Sequence, residues 1–201
     1  MPYADFTLES AEAAFGLTAR PGDLFPGLEA VPVPPWLHDL LERGRQMVAL
    51  VSEKARSEFL VVPILLSARE FAPGALAIYS GQRLDVDPAR GLVGECDYIL
   101  ALTPPVPRLR APLVTILEAR KGDIEEGLGQ CVAQMVAARL FNERAGGLDR
   151  PLFGCVTTGE VWQFLRLGDY EVILDRSRLF IDNVGGLLAA LRAIIRVGGP
   201  T

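Results

Sequence analysis

The amino-acid sequence predicts an α/β domain in which a mixed central sheet is flanked by helices. The apolar patterning gives the order helix, three strands, helix, three strands, helix. Strand candidates follow one another directly, which favours a mixed sheet over a doubly wound parallel one, where a crossover helix follows each strand. Half of the 201 residues are hydrophobic, enough for a sizeable core in one compact unit.

Residues 1–35 are rich in Pro and Gly and end in "VPVPPW". They read as an irregular arm with one short element around Leu8 to Leu17, ahead of a single domain over 36–201. From Trp36 to about Leu60, apolar residues recur at spacings of three and four (Leu37, Leu40, Leu41, Met47, Val48, Val51), the period of an amphipathic helix. Pro63 interrupts the strand-like run "FLVVPILL", so a kink or break is expected there. "ALAIYSGQRLDV" and "GLVGECDYILAL" are strands joined by the turn-rich "DPARG", and "LVTILEA" is the third strand after a Pro-rich loop. Asp123 is placed to cap a helix over roughly 124 to 145, with Glu126 completing a capping box. "PLFGCVTTGEVWQFLRL" reads as two strands around a tight "TTGE" turn, where Gly159 accommodates positive φ. "DYEVILD" is a further strand, and "DNVGGLLAALRAII" a closing amphipathic helix.

Bulk properties exclude several functions. "FLVVPILL" and "VGGLLAALRAIIRV" are too short to span a bilayer, and the second contains Arg192 and Arg196. The N-terminus is acidic where a signal peptide would be basic and then apolar, so a cytoplasmic, membrane-free protein is expected. Cys96, Cys131 and Cys155 lie far apart in apolar surroundings and read as reduced core thiols, with no CxxC spacing for zinc or redox work. The single histidine, His38, argues against His-based catalysis. A net charge of −5 is a poor overall footprint for a nucleic-acid binder, although it leaves room for a local basic groove. No P-loop or Rossmann glycine motif occurs. "RGRQ", "RLR" and "DRSR" are small basic clusters that could contact phosphates, although solvated arginines are the commoner case.

The informative stretch is "LVTILEARKGD". A buried-looking strand ends in Glu118, Arg120, Lys121 and Asp123. Side chains alternate along a strand, so Glu118 and Arg120 point one way and Lys121 the other. The preceding strand carries Asp97 among apolar residues, and antiparallel pairing would set Asp97 opposite Glu118 at one end of the sheet. Two buried carboxylates repel unless a cation stands between them. Hard oxygen ligands suit Mg²⁺ or Mn²⁺. The plainer alternative is an ion-pair lattice at a strand terminus.

"GECDYILAL…LVTILEARKGD" resembles the core of the PD-(D/E)XK nuclease-like, or restriction-endonuclease-like, superfamily, in which an Asp on one strand precedes Glu-x-Lys on the next. The resemblance spans about residues 50 to 175 and extends to the type I restriction-subunit-like branch through the strand pair "FGCVTTGEVWQFLRL". It implies a restriction-endonuclease-like core and a divalent metal, Mg²⁺ or Mn²⁺, held by Asp97 and Glu118. It implies an acid on the first core helix, offered by Glu58, and a Gln on the helix after the Glu-x-Lys strand, offered by Gln130 and Gln134. Glu58 has a competing role as the i+4 partner of Lys54. Glu95, two residues before Asp97, ranks lower as a substitute. The motif Lys falls on Arg120, a substitution that is not conservative, with Lys121 adjacent.

Two functions follow as expectations. One is a Mg²⁺-dependent phosphodiesterase acting on DNA, with Asp97, Glu118, Arg120 or Lys121, and Gln134 as its working residues. The other is a catalytically inactive nuclease-like fold serving as a binding or assembly module, with a homodimer or a protein partner expected.

Overall fold

The computed structural model describes residues 2–72, 75–146 and 150–198. In chain order its helices are α1 (Leu8–Phe15), α2 (Pro35–Met47), α3 (Glu53–Arg56), α4 (Val62–Ala68), α5 (Ile124–Arg144) and α6 (Val184–Gly198). Its strands are β1 (Thr18–Gly22), β2 (Ala77–Arg83), β3 (Glu95–Ala101), β4 (Leu113–Ala119), β5 (Leu152–Thr157), β6 (Val161–Leu167), β7 (Glu171–Asp175) and β8 (Leu179–Phe180).

β4 is buried along its whole length, as is β5. Strands covered on both faces read as continuous apolar runs, and these two stand side by side at the centre of the sheet. The sheet is open, mixed and eight-stranded, in the order β1-β7-β6-β5-β4-β3-β2, with β8 joining β6. β4 runs parallel to β5, and β1 parallel to β7; the other neighbours are antiparallel. The expected α/β class with a mixed sheet and flanking helices is therefore observed.

Two apolar cores lie on opposite faces of the sheet. One packs Tyr3, Phe6, α1 and α5 against strand residues such as Ile99, Ile116 and Val156. The other packs α2, α4 and α6 against Leu100, Leu117, Trp162 and Phe164. Cys96, Cys131 and Cys155 are buried free thiols, as their apolar settings suggested. No described helix is long and apolar enough to cross a membrane.

Four sequence expectations need correction. The N-terminal residues are less irregular than their Pro and Gly content suggested: besides α1, capped by Thr7 and Ser10 in a reciprocal box, they supply strand β1 at the sheet edge. The helix expected from Trp36 to Leu60 ends at Met47, where Val48 turns extended, and a new helix starts behind Ser52, whose side chain caps the Ala55 N–H. "FLVVPILL" is helical. A π-turn at Ser57–Val61 precedes α4, the Val62 N–H bonding back to the Ser57 carbonyl. That wider turn makes room for Pro63, which lacks a donor and would otherwise crowd the preceding turn. Finally, Asp123 does cap α5, but through the Glu125 N–H. Glu126 does not complete a box; its carboxylate lies 3.8 Å from Arg120.

Candidate active site

The antiparallel β3–β4 ladder pairs Tyr98 with Leu117. One step further along, Asp97 stands across from Glu118. There the Asp97 carboxylate takes over the ladder itself, accepting the Ala119 N–H at 2.7 Å. On the other side of β3, Gly81 of β2 breaks the regular pairing at the level of Asp97, with φ at +61°. A glycine meets that left-handed conformation without steric cost.

Glu118 points toward α5, onto two amides. Gln130 Nε2 donates to Glu118 Oε1 at 2.5 Å, and Gln134 Nε2 donates to Glu118 Oε2 at 3.1 Å. Gln134 also reaches the Glu95 carbonyl at 3.4 Å. The i, i+4 spacing on one helix face thus aims both amides at one carboxylate. Gln134 is fully buried, and its Oε1 has no partner among the described residues. A buried, unpaired acceptor is costly, and such an atom calls for a donor or a bridging group.

Arg120 lies on the Glu118 side of the strand end, as alternation predicted. Its guanidinium is 3.8 Å from Glu118 Oε1 and 3.8 Å from Glu126 Oε2. These are ion pairs at a distance longer than a hydrogen bond. Its alkyl stem passes over Gly127, where a Cβ would come within 3.0 Å of it. Lys121 is exposed and forms no ion pair among the described residues; its carbonyl accepts from Arg56 Nη1 at 3.1 Å. Arg56 also holds the Leu50 carbonyl at 3.0 Å, so it ties the start of α3 to the end of β4. Beside Asp97, the Tyr98 and Ser57 hydroxyls share a 2.5 Å hydrogen bond, which anchors the π-turn to β3.

The electrostatics follow from this packing. Burial raises the Glu118 carboxyl to about 8, the negative charge of Asp97 adds to the rise, and the Gln134 bond and the Arg120 charge work against it. Burial also raises Asp97, against the opposing Ala119 N–H bond. Glu53 contributes to both shifts in the upward direction. This acid, in the first turn of α3, is the helix carboxylate whose field reaches the pair, and sequence reasoning missed it. The signal was Ser52, a helix-capping residue inside what read as one long helix. Glu58, the acid expected from sequence, instead pairs with Lys54 at 2.7 Å and is half exposed. Glu95 is exposed; its backbone carbonyl accepts from Gln134, and its charge adds to the rise of Asp97.

Among the described residues no group of three or more His, Cys, Asp or Glu side chains stands close enough to hold a metal ion as placed. The pair Asp97 and Glu118 nonetheless has the chemistry of a hard-cation site. Both are oxygen donors, burial raises the pKa of both, and the amide that holds Glu118 carries an oxygen without a partner among the described residues. No protein-family model matches the chain, and no curated protein matches it.

Proposed function

We propose that the protein is a divalent-metal-dependent phosphodiesterase with a restriction-endonuclease-like core, acting on DNA. The observation that carries this reading is the convergence on one sheet end of Asp97, Glu118, Arg120, Gln130 and Gln134, in the chain order of the PD-(D/E)XK pattern. Asp97 and Glu118 would hold Mg²⁺ or Mn²⁺, and the bound ion would supply Lewis acidity toward a phosphoryl oxygen and lower the pKa of a coordinated water. The residues of the chain provide the frame. Gln130 and Gln134 fix both oxygens of Glu118, so the carboxylate presents a constant face. Arg120 supplies a permanent positive charge beside Glu118, suited to charge developing on a phosphoryl group. Lys121 extends into solvent at the same strand end, available to a phosphate backbone.

A second reading, a non-catalytic nuclease-like module, is favoured by Arg120. It occupies the lysine position and is engaged by both Glu118 and Glu126. Calorimetric titration with Mn²⁺ comes first, on the wild type and Asp97→Asn. Saturable binding abolished by the substitution supports the metal site; no binding at millimolar Mn²⁺ counts against it. Cleavage of plasmid and linear DNA with Mg²⁺ or Mn²⁺ then separates the two readings. Activity lost in the Asp97→Asn, Glu118→Gln double variant supports the enzyme, and cleavage that survives the double variant refutes it. Metal binding without any hydrolysis points to the binding module.

A further inference from the structure

We propose that a cavity at the opposite end of the sheet is a second, separate site, which binds a phosphorylated small molecule of nucleotide size. β4 carries Glu118 near its C-terminal end. At its other end Leu113 is clamped by Asn142 of α5, which accepts the Leu113 N–H and donates to the Leu113 carbonyl, both at 2.8 Å. Beside Asn142 opens a cavity of 730 Å³ lined by Arg139, Arg150 and Arg166. That volume lies in the range of small-molecule sites, about 300–1,000 Å³.

Three features make these arginines a receptor and not a solvated fringe. First, two of them are held in place by backbone carbonyls of different elements. Arg139 donates to the Gly168 carbonyl at 2.9 Å in the β6–β7 turn, and Arg150 donates to the Gly198 carbonyl at the end of α6. Each bond uses one of five guanidinium donors and leaves the rest free. Second, none of the three arginines forms an ion pair among the described residues, although Glu143 and Asp169 also line the cavity. Three permanent positive charges therefore share one space with two carboxylates that form no ion pair with them, and a third, Glu171 of the adjoining hollow, feels the Arg166 charge without an ion pair to it. Third, the fork of a guanidinium matches phosphoryl oxygens in bidentate geometry, and fixing it beforehand lowers the entropy lost on binding. An adjoining hollow shares Gly168 and Asp169 with the cavity and is bordered by Tyr170, a residue 80% exposed. An exposed ring next to a cationic cavity offers a base a stacking face.

The test is calorimetric titration of the full-length protein with AMP and, separately, with pyrophosphate. EDTA is present throughout, so the carboxylate site plays no part. Saturable binding is expected, weakened roughly tenfold or more by Arg166→Glu and by Arg150→Ala, since each removes a charge-assisted contact. Arg166 is exposed, so its variant should fold normally; thermal melting of Arg150→Ala checks that loss of the α6 tether has not unfolded it. AMP binding tighter than pyrophosphate, and weakened by Tyr170→Ala, identifies a nucleotide. Equal affinities identify a simpler phosphorylated compound. The Asp97→Asn, Glu118→Gln double variant should bind as the wild type does, which keeps this site's fate distinct from that of the metal site. Absence of saturable binding up to about 10 mM of either probe, binding undiminished in Arg166→Glu, or binding lost in the double variant would overturn the proposal.

Discussion

Glu118 sits where ionisation is costly, and the cost has a sign that can be measured. Its carboxyl is raised from 4.5 to about 8 in the folded chain. Between those values the native state holds a proton that the unfolded state has released, so stability declines as pH rises. The contribution is fully present below about pH 4.5, is lost progressively toward pH 8, and amounts to at most about 1.4 kcal/mol per pH unit for one group. Asp97, also raised, acts in the same direction. Thermal melting in EDTA from pH 5 to 9 should therefore show a falling melting temperature in the wild type and a flatter profile in Glu118→Gln; equal slopes would contradict the assignment. Gln134 tests the same balance from the other side. Its bond favours the ionised form of Glu118, so Gln134→Leu should move the midpoint of this pH transition upward. Carboxylate chemical shifts of Glu118 read that midpoint directly. At this scale much was legible in sequence. Asp97 and Glu118 stand out as acids inside apolar runs, and the two glutamines stand out on an apolar helix. Glu53 was not legible, because its relation to the pair depends on where a helix starts and on Arg56 tying that start to β4.

The elements bring these residues together by close approach of backbones, and α5 shows how tightly. The backbone of Phe6 and Thr7 crosses α5 at Gly129, where a Cβ would lie 2.2 Å from the Thr7 carbonyl carbon and 2.4 Å from the Phe6 carbonyl oxygen. Alanine would ordinarily strengthen a helix by about 0.8–1 kcal/mol over glycine. Here the clash is with backbone, which cannot swing aside, so Gly129→Ala is expected to destabilise by about 1–3 kcal/mol, as overpacked sites do. Urea unfolding measures it, with Gly122→Ala as the control, since nothing stands within 4 Å of that position. A Gly129→Ala variant as stable as the control would show that the crossing is looser than it looks. Periodicity made most elements readable: β4, the β5–β6 hairpin and α5 begin and end within a residue or two of expectation. The exceptions share a cause. β1 is "TARPG", with a proline and a glycine and little apolar content, and it is a strand because β7 offers an edge to pair with. The π-turn before Pro63 is likewise a tertiary solution, in which the surrounding core keeps an apolar run helical despite its proline.

On the scale of the whole molecule, the sheet is covered on both faces, and one cover depends on the N-terminal segment. Tyr3, Phe6 and Leu17 are buried in the core that also holds α5, and the Tyr3 hydroxyl donates to the Leu84 carbonyl beyond the end of β2. β1 closes the far edge of the sheet against β7. The same segment thus touches both edges of the sheet and the back of the helix that carries Gln130 and Gln134. Burying three such side chains contributes about 5–9 kcal/mol, comparable to the whole stability of an ordinary domain, about 5–15 kcal/mol. A variant beginning at Asp23 should therefore lose cooperative unfolding, not merely melt lower. Near-UV circular dichroism should collapse while far-UV signal persists in part, and a dye that reports exposed apolar surface should bind. With α5 released from its cover, the two amides lose their fixed aim at Glu118, so the Mn²⁺ binding we propose for the intact chain should be absent from the truncated one. A truncated chain that keeps a sharp transition would show that residues 23–201 fold alone, and that the arm is an addition to the site's frame and not a part of it.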